Sequence, residues 1–290
     1  MDAILVDGTY ELFRYFFALP SHVTADGREV AATRGVLGDV LNLVEAGATH
    51  VGVATDHVIE SWRNEVWNGY KTGDGIDAAL AGQFGILEDG LQAMGVCVWP
   101  MVEREADDAL ASAAQVCAAD PSVGRVVIRT VDKDLAQCVV DPKVVQYDRR
   151  KDVTYDEAGI RDKFGVVPAS IPDYLALVGD TADGFPGLRG WGAKSASAVL
   201  ARYLHLEDIP AAAQDWDISV RGAATLAATL AEQMDDALLF RDLATLRPDP
   251  PVVASVTDLE WHAPGPAFTD FCKTIDGARL AEKAAALRPG

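Results

Sequence analysis

Val126-Val127-Ile128-Arg129-Thr130, followed by Val131-Asp132-Lys133-Asp134, is a short β-branched run that ends in two acids. Runs of this kind recur along the first half of the chain. Ala3–Val6 leads into Asp7, and Val51–Ala54 is followed two residues later by Asp56. Val96–Trp99 precedes Glu105-Ala106-Asp107-Asp108, and Val144–Tyr147 is a fifth run. Near-continuous Val/Ile runs suit strands covered on both faces. Between two of them Leu110, Ala113, Ala114 and Cys117 fall at helical spacing. The alternation predicts an α/β fold with a mostly parallel central sheet flanked by helices. In open sheets of that type ligands bind beyond the carboxyl ends of the strands, where these acids would sit.

From about Asp156 the strand signal fades and helical patterns take over: Pro172–Val178, Ser195–Tyr203, Ala223–Leu246 and Ala278–Leu287. The expected organisation is therefore an α/β core over residues 1–164 and a helical region over residues 165–290.

Taken singly, each acidic group admits a plainer reading. Asp7-Gly8 is a common turn, Glu105–Asp108 suits a helix N-terminus, and Asp132-Lys133-Asp134 suits a solvated loop. Taken together they are harder to dismiss. Two like charges 4 Å apart repel by about 4 kcal/mol at an effective dielectric of 20. Convergent carboxylates need cations, and an all-oxygen donor set selects hard ions such as Mg²⁺ or Mn²⁺.

The stretch Gly179-Asp180-Thr181-Ala182-Asp183-Gly184-Phe185-Pro186-Gly187-Leu188-Arg189-Gly190-Trp191-Gly192-Ala193-Lys194-Ser195-Ala196 adds two acids three residues apart and a glycine-rich approach to a helix. Glycines allow close backbone approach, and a helix N-terminus offers free N–H groups to phosphate. Ala193 separates Gly192 from Lys194, so this is not a Walker A loop.

In order, the chain carries Val6-Asp7-Gly8, Asp56 then Trp62-Arg63-Asn64-Glu65, Tyr70-Lys71, Glu105-Ala106-Asp107-Asp108, Thr130-Val131-Asp132-Lys133-Asp134 and the glycine-rich stretch. In these motifs it resembles, nearly end to end, the 5′ nuclease family of flap endonucleases and the 5′–3′ exonuclease domain of bacterial DNA polymerase I. The resemblance implies a PIN-like nuclease core and a DNA-binding helical region with a helix–three-turn–helix. It implies one metal around Asp7, Asp56, Glu105 and Asp107, and a second around Asp107, Asp132, Asp134 and Asp180, with Asp108 and Asp183 in support. Two or more Mg²⁺ or Mn²⁺ ions are implied, and K⁺ at the helix–three-turn–helix. Lys71, with Arg63 and Tyr70, matches the region that handles the scissile phosphate. Gly187, Gly190, Gly192, Lys194 and Ser195 match the turn that grips the duplex.

The implied reaction is two-metal hydrolysis of DNA at 5′ flaps and free 5′ ends in replication and repair, leaving a 5′-phosphate and a 3′-hydroxyl. Two departures stand out. Asp74 lies three residues after Lys71, where relatives in the polymerase group often place arginine, and 72–81 holds no basic residue. Trp191 fills a turn position more often given to a small residue, and is expected to pack beneath the turn.

The balance of 44 acids against 25 basic residues, −19 net, lacks the usual footprint of a nucleic-acid binder. Bound cations reverse the local field, so DNA binding is expected to depend on divalent ions. Four scattered cysteines, without Cys-x-x-Cys spacing, read as buried small hydrophobes in a reducing cytoplasm. No apolar run is long enough to span a membrane, nothing requires more than a monomer, and no polymerase segment follows Gly290, so a stand-alone member is expected.

Rival readings fit less well. Val6-Asp7-Gly8-Thr9 resembles the haloacid-dehalogenase motif, but Leu5 stands at the nucleophile's place. A small PIN-type ribonuclease lacks the glycine-rich helical half. The alternative carried forward is a non-catalytic or RNA-directed nucleic-acid-binding relative.

Overall fold

The computed structural model describes residues 1–287. The sequence reading divides the chain after residue 164, whereas its contacts group it into two compact units, neither continuous in sequence. The first comprises Met1–Ser61, Gly73–Thr130 and the stretch from Pro248 onward; the second comprises Trp62–Thr72 and Val131–Arg247.

The first unit holds four strands, β1 (Asp2–Asp7), β2 (His50–Asp56), β3 (Cys97–Met101) and β4 (Arg125–Arg129), all parallel. The Val/Ile runs predict the parallel sheet, and the strands run in the order β3-β2-β1-β4. Every residue of β2 is buried, which is why its sequence shows no apolar–polar alternation. The register pairs Asp7 with Ala54 and Asp56 with Met101, so two acids lie at the carboxyl ends of neighbouring strands.

Helices Ala31–Glu45 and Gln83–Ala93 supply Leu37, Leu41, Leu87 and Leu91 to the core of this unit. Phe268, Cys272 and Ile275 join that core from helix Pro266–Thr274 and its end, a helix the sequence reading did not identify. Their burial is what ties the last stretch of chain to the first unit. Cys97, Cys117 and Cys272 are free thiols whose pKa burial pushes up to about 11, so they behave as small hydrophobes.

The second unit contains β5 (Val144–Asp148) and β6 (Val153–Tyr155), an antiparallel pair with Tyr147 opposite Thr154. Strand β6 is three residues long and two of them are exposed, so it leaves no apolar run in the sequence. Helices Glu157–Phe164, Ile171–Val178 and Ala193–Tyr203 follow.

The single helix expected over Ala223–Leu246 is two, Ala223–Glu232 and Met234–Ala244, parted at Gln233 (φ −116°, ψ 28°). Asp235 and Asp236 occupy the first turn of the second helix, where carboxylates complement the exposed N–H groups. That signal was present in the sequence, but apolar periodicity ran straight through it.

Helices Ile171–Val178 and Ala193–Tyr203 are joined by the predicted glycine-rich turns. Leu188 N–H donates to Leu177 O, Asp180 bridges Phe185, and Trp191 N–H donates to Leu188 O. Trp191 is buried against Trp216, with ring centroids 6.3 Å apart, so it packs beneath the turn as expected. At Gly187 φ is +69° and a Cβ would stand 2.3 Å from Gly179 N. Only glycine allows both that conformation and that approach.

Gly187→Ala should therefore destabilise the protein by about 2–4 kcal/mol in urea unfolding. Gly192, with φ −148° and open space around it, should cost only about 0.5–1 kcal/mol as Gly192→Ala, the difference expected at a helix cap.

Candidate metal centre

In the first unit each acid at the sheet edge is fixed by the local fold. Asp7 closes β1 and caps helix Gly8–Ala18: one carboxylate oxygen accepts from Tyr10 N–H at 2.8 Å, the other from the Thr130 hydroxyl at 2.8 Å. Asp56 closes β2, its N–H donating to Thr9 Oγ1 and its Oδ1 accepting from Ala106 N–H at 2.7 Å. Glu105 is the cap of helix Ala106–Ala119 and accepts from the Ser61 hydroxyl at 2.8 Å. Its own N–H donates to Asp108 Oδ2 at 3.1 Å. Asp108 is fully buried and completes that capping box, so the plainer helix-start reading holds for part of this motif. Asp107 lies half-buried in the first helical turn.

In the second unit Asp134, Asp180 and Asp183 converge, each offering a carboxylate oxygen within 4.8 Å of the others. Asp180 and Asp183 are brought there by the turn after helix Ile171–Val178, in which Asp180 Oδ1 accepts from Ala182 N–H at 3.0 Å. Asp132 accepts from Asp134 N–H at 3.0 Å, so the two acids after β4 are locked to each other.

Two lysines face this group. Lys71 Nζ is 3.0 Å from Asp183, and Lys133 Nζ is 2.5 Å from Asp180. Burial pulls the Lys133 pKa down, but the Asp180 partner outweighs it and leaves the ammonium above its ordinary range. Lys133 was missed as a site residue, although its place between Asp132 and Asp134 was the available signal.

Two ammonium groups against four carboxylates leave an excess of negative charge. Asp134 bears the consequence: burial, then Asp132, Asp183 and Asp180, raise its pKa well above 3.8, with Lys71 opposing. Its Oδ1 is buried and has no hydrogen-bond partner. An orphaned, buried oxygen beside two convergent carboxylates fits a divalent cation with oxygen ligands. The residues present therefore fit the implied metal. Among the described residues Asp7, Asp56 and Glu105 do not form a comparably tight ligand group of their own.

The expected phosphate-handling residues separate. Lys71 is partly exposed and its main-chain carbonyl accepts from Asn64 Nδ2 at 2.9 Å. Tyr70 is 4% exposed and belongs to the hydrophobic core, its ring centroid 5.6 Å from Lys71 Nζ. Arg63 is placed differently. It is 1% exposed, donates to Leu243 O at 2.8 Å and Thr245 O at 3.3 Å, and lies over the Trp62 ring. Its guanidinium satisfies carbonyls at the end of helix Met234–Ala244, where a helix leaves such groups open. These bonds make it a structural tie in this structure.

Of the turn residues, Gly190, Gly192 and Lys194 are exposed, and Gly187 is half-buried. Ser195 Oγ and the Gly192 main chain bond reciprocally at 3.0 Å, which fixes the start of helix Ala193–Tyr203.

Two family models together match residues 2–267. The 5′–3′ exonuclease N-terminal resolvase-like domain matches residues 2–165, and the 5′–3′ exonuclease C-terminal SAM fold matches residues 166–267. The chain belongs to the 5′–3′ exonuclease family. Membership places it among the 5′ nucleases, and metal dependence is consistent with that family.

Its relatives include DNA polymerase I of Pseudomonas aeruginosa, 33% identical over 85% of this chain, and that of Rhizobium leguminosarum, 32% identical over 97%. The chain spans 27% and 28% of the length of those two polymerases. Among solved structures it is similar to the T5 D15 protein co-crystallised with metal ions (TM-score 0.66, 19% identity, 98% of this chain and 100% of that one). It is also similar to the catalytic core of Rad2 in complex with DNA substrate (TM-score 0.65, 17% identity, 99% and 92%). These two likenesses establish the fold. No described helix is long and apolar enough to cross a membrane.

The raised Asp134 pKa sets a pH dependence in metal-free protein. The folded state holds the Asp134 proton more tightly than the unfolded state, so stability falls as pH rises from about 4 through the raised folded range. Urea midpoints measured across pH in EDTA should show this loss. Asp134→Asn should flatten it, and Mn²⁺ should stabilise the parent protein more than the variant.

Proposed function

We propose that this chain is a structure-specific 5′ nuclease that cuts DNA at 5′ flaps and trims free 5′ ends, in primer or flap removal and repair. The observation that carries the reading is the buried, unpartnered Asp134 oxygen set against Asp180 and Asp183, with Lys71 on the same group. Asp134, Asp180 and Asp183, supported by Asp132, hold one divalent cation. Asp7, Asp56, Glu105 and Asp107 serve another, with Asp108 fixing the helix start beneath them. The ions are Mg²⁺ or Mn²⁺, since all the donors are carboxylates. When bound, they supply Lewis-acid stabilisation of the developing phosphate charge and activation of water.

The chain's own groups do the rest. Lys71 adds a fixed positive charge for the scissile phosphate, and its ion pair with Asp183 aims the ammonium while the site waits for substrate. Tyr70 packs beneath it and fixes where the lysine emerges. Residues 1–164 provide the hydrolytic core and residues 165–290 the duplex grip. In that grip Gly187, Gly190, Gly192, Lys194 and Ser195 approach the backbone, with K⁺ held by turn carbonyls. The protein acts as a monomer in the cytoplasm.

Cleavage of a 5′-flapped duplex, labelled at each end in turn, is expected with Mg²⁺ or Mn²⁺ and not with EDTA. Asp134→Ala and Asp132→Ala should abolish it with the fold retained by circular dichroism. Lys71→Ala should lower kcat by about 10²–10³-fold. Metal binding without cutting of any DNA would refute the reading in favour of an RNA-directed or non-catalytic relative, which cleavage of matched RNA would then separate.

A further inference from the structure

Glu88 is a buried carboxylate that neither the core nor the metal centre accounts for. It sits on helix Gln83–Ala93 with 5% exposure. One of its oxygens accepts from the Thr55 hydroxyl at 2.7 Å, and the other lies 2.7 Å from His57 Nδ1. Burying a carboxylate costs several kcal/mol before pairing, so the Glu88 pair as a whole adds little net stability. What the acid adds is orientation. With Nδ1 held by the carboxylate, the imidazole is fixed and Nε2 is the ring nitrogen left for a ligand. The His57 side chain is 48% exposed.

The position of that ring is set by a rigid backbone. Asp56 N–H is bonded to Thr9 Oγ1, and Val58 N–H to Met101 O at 3.1 Å. Side chains alternate along β2 and its continuation. Thr55 and His57 meet Glu88 on helix Gln83–Ala93, whereas Asp56 between them accepts from Ala106 on the other helix. The acid and the imidazole thus leave the same strand end on opposite faces of the sheet. A ring on that side does not join Asp56 on one cation. It can take up a neighbouring phosphate of a strand crossing the sheet edge.

We propose that His57 is a substrate-binding residue, its imidazolium donating from Nδ1 to Glu88 and from Nε2 to a phosphate of the strand at the Asp56 edge of the sheet, and that Glu88 is its positioning residue. The inference rests on the 5′ nuclease reading above. In an acidic chain a donor fixed beside the carboxylate edge gives the strand a direct contact that does not pass through the metals.

The test is steady-state cleavage of the 5′-flapped duplex in Mg²⁺, with anisotropy binding of the same DNA in Ca²⁺ and thermal melting of each variant. His57→Ala should raise KM and the dissociation constant by about tenfold, with the main effect in KM and not kcat. His57→Lys should restore binding to within about threefold, because the lysine supplies a donor without the brace. Glu88→Gln should weaken binding in the parent, and should add nothing in the His57→Lys background.

Unchanged KM and binding in a folded His57→Ala variant would overturn the proposal. So would a fall in kcat alone, or an equal Glu88→Gln effect in both backgrounds. Failure of the parent protein to bind or cut DNA would refute the nuclease reading, whereas the variant-to-parent ratios judge His57.

Discussion

Mutual repulsion among four aspartates is the constraint on which the second unit depends. Asp132, Asp134, Asp180 and Asp183 interact electrostatically, three of them buried and Asp132 half-buried, and burial weakens the solvent screening that would otherwise tame them. Something must hold them there against that repulsion. Part of the answer is local hydrogen bonding: Asp132 accepts from Asp134 N–H, and Asp180 caps its own turn. Part is ionic, through Lys71 and Lys133. The rest is the glycine-rich turn, whose backbone closes on itself at Gly179 and Gly187 and is braced by the Trp191–Trp216 contact. A loose loop would let these acids swing into water. This turn does not.

The first unit solves a different problem. Its acids leave the ends of parallel strands, so the fold itself delivers them to one edge, and each performs a structural task there. Asp7 caps one helix, Asp56 ties to the start of another, and Glu105 with Asp108 builds that start. The hydrogen bonds from Tyr10, Thr130, Ala106 and Ser61 orient the carboxylates. A net charge of −19 is thereby less paradoxical for a protein of this family. The acids at the sheet edge are committed to fixed positions, and a cation bound among them would reverse the local field.

Arg63 and Lys71 illustrate why motif spacing underdetermines chemistry. Both stand in the same short stretch and both are cationic, yet one is buried on two backbone carbonyls and the other keeps its ammonium on an aspartate. The partners of Arg63 are Leu243 and Thr245, about 180 residues away. Nothing local in the sequence announces them. Trp62 tells the same story, since Arg247 lies over its ring. The long helix read over 223–246 failed for the opposite reason: apolar periodicity continued across the break at Gln233, and the acidic start of the next helix was outweighed.

The sequence by itself determined the strands β1 to β5, the acids at their carboxyl ends and the glycine-rich turn. These are local properties: a buried parallel strand needs an uninterrupted β-branched run, and a positive-φ turn needs glycine. Tertiary structure alone decided which acids converge, which cation is a tie and which faces the acids, and that the chain from Pro248 onward returns to the first unit. It also decided that a glutamate on one helix would hold a histidine at the end of a strand. Those outcomes depend on contacts between residues far apart in the chain, made by whichever side chains the packing of helices on the sheet brings within reach, and no periodicity or spacing records them.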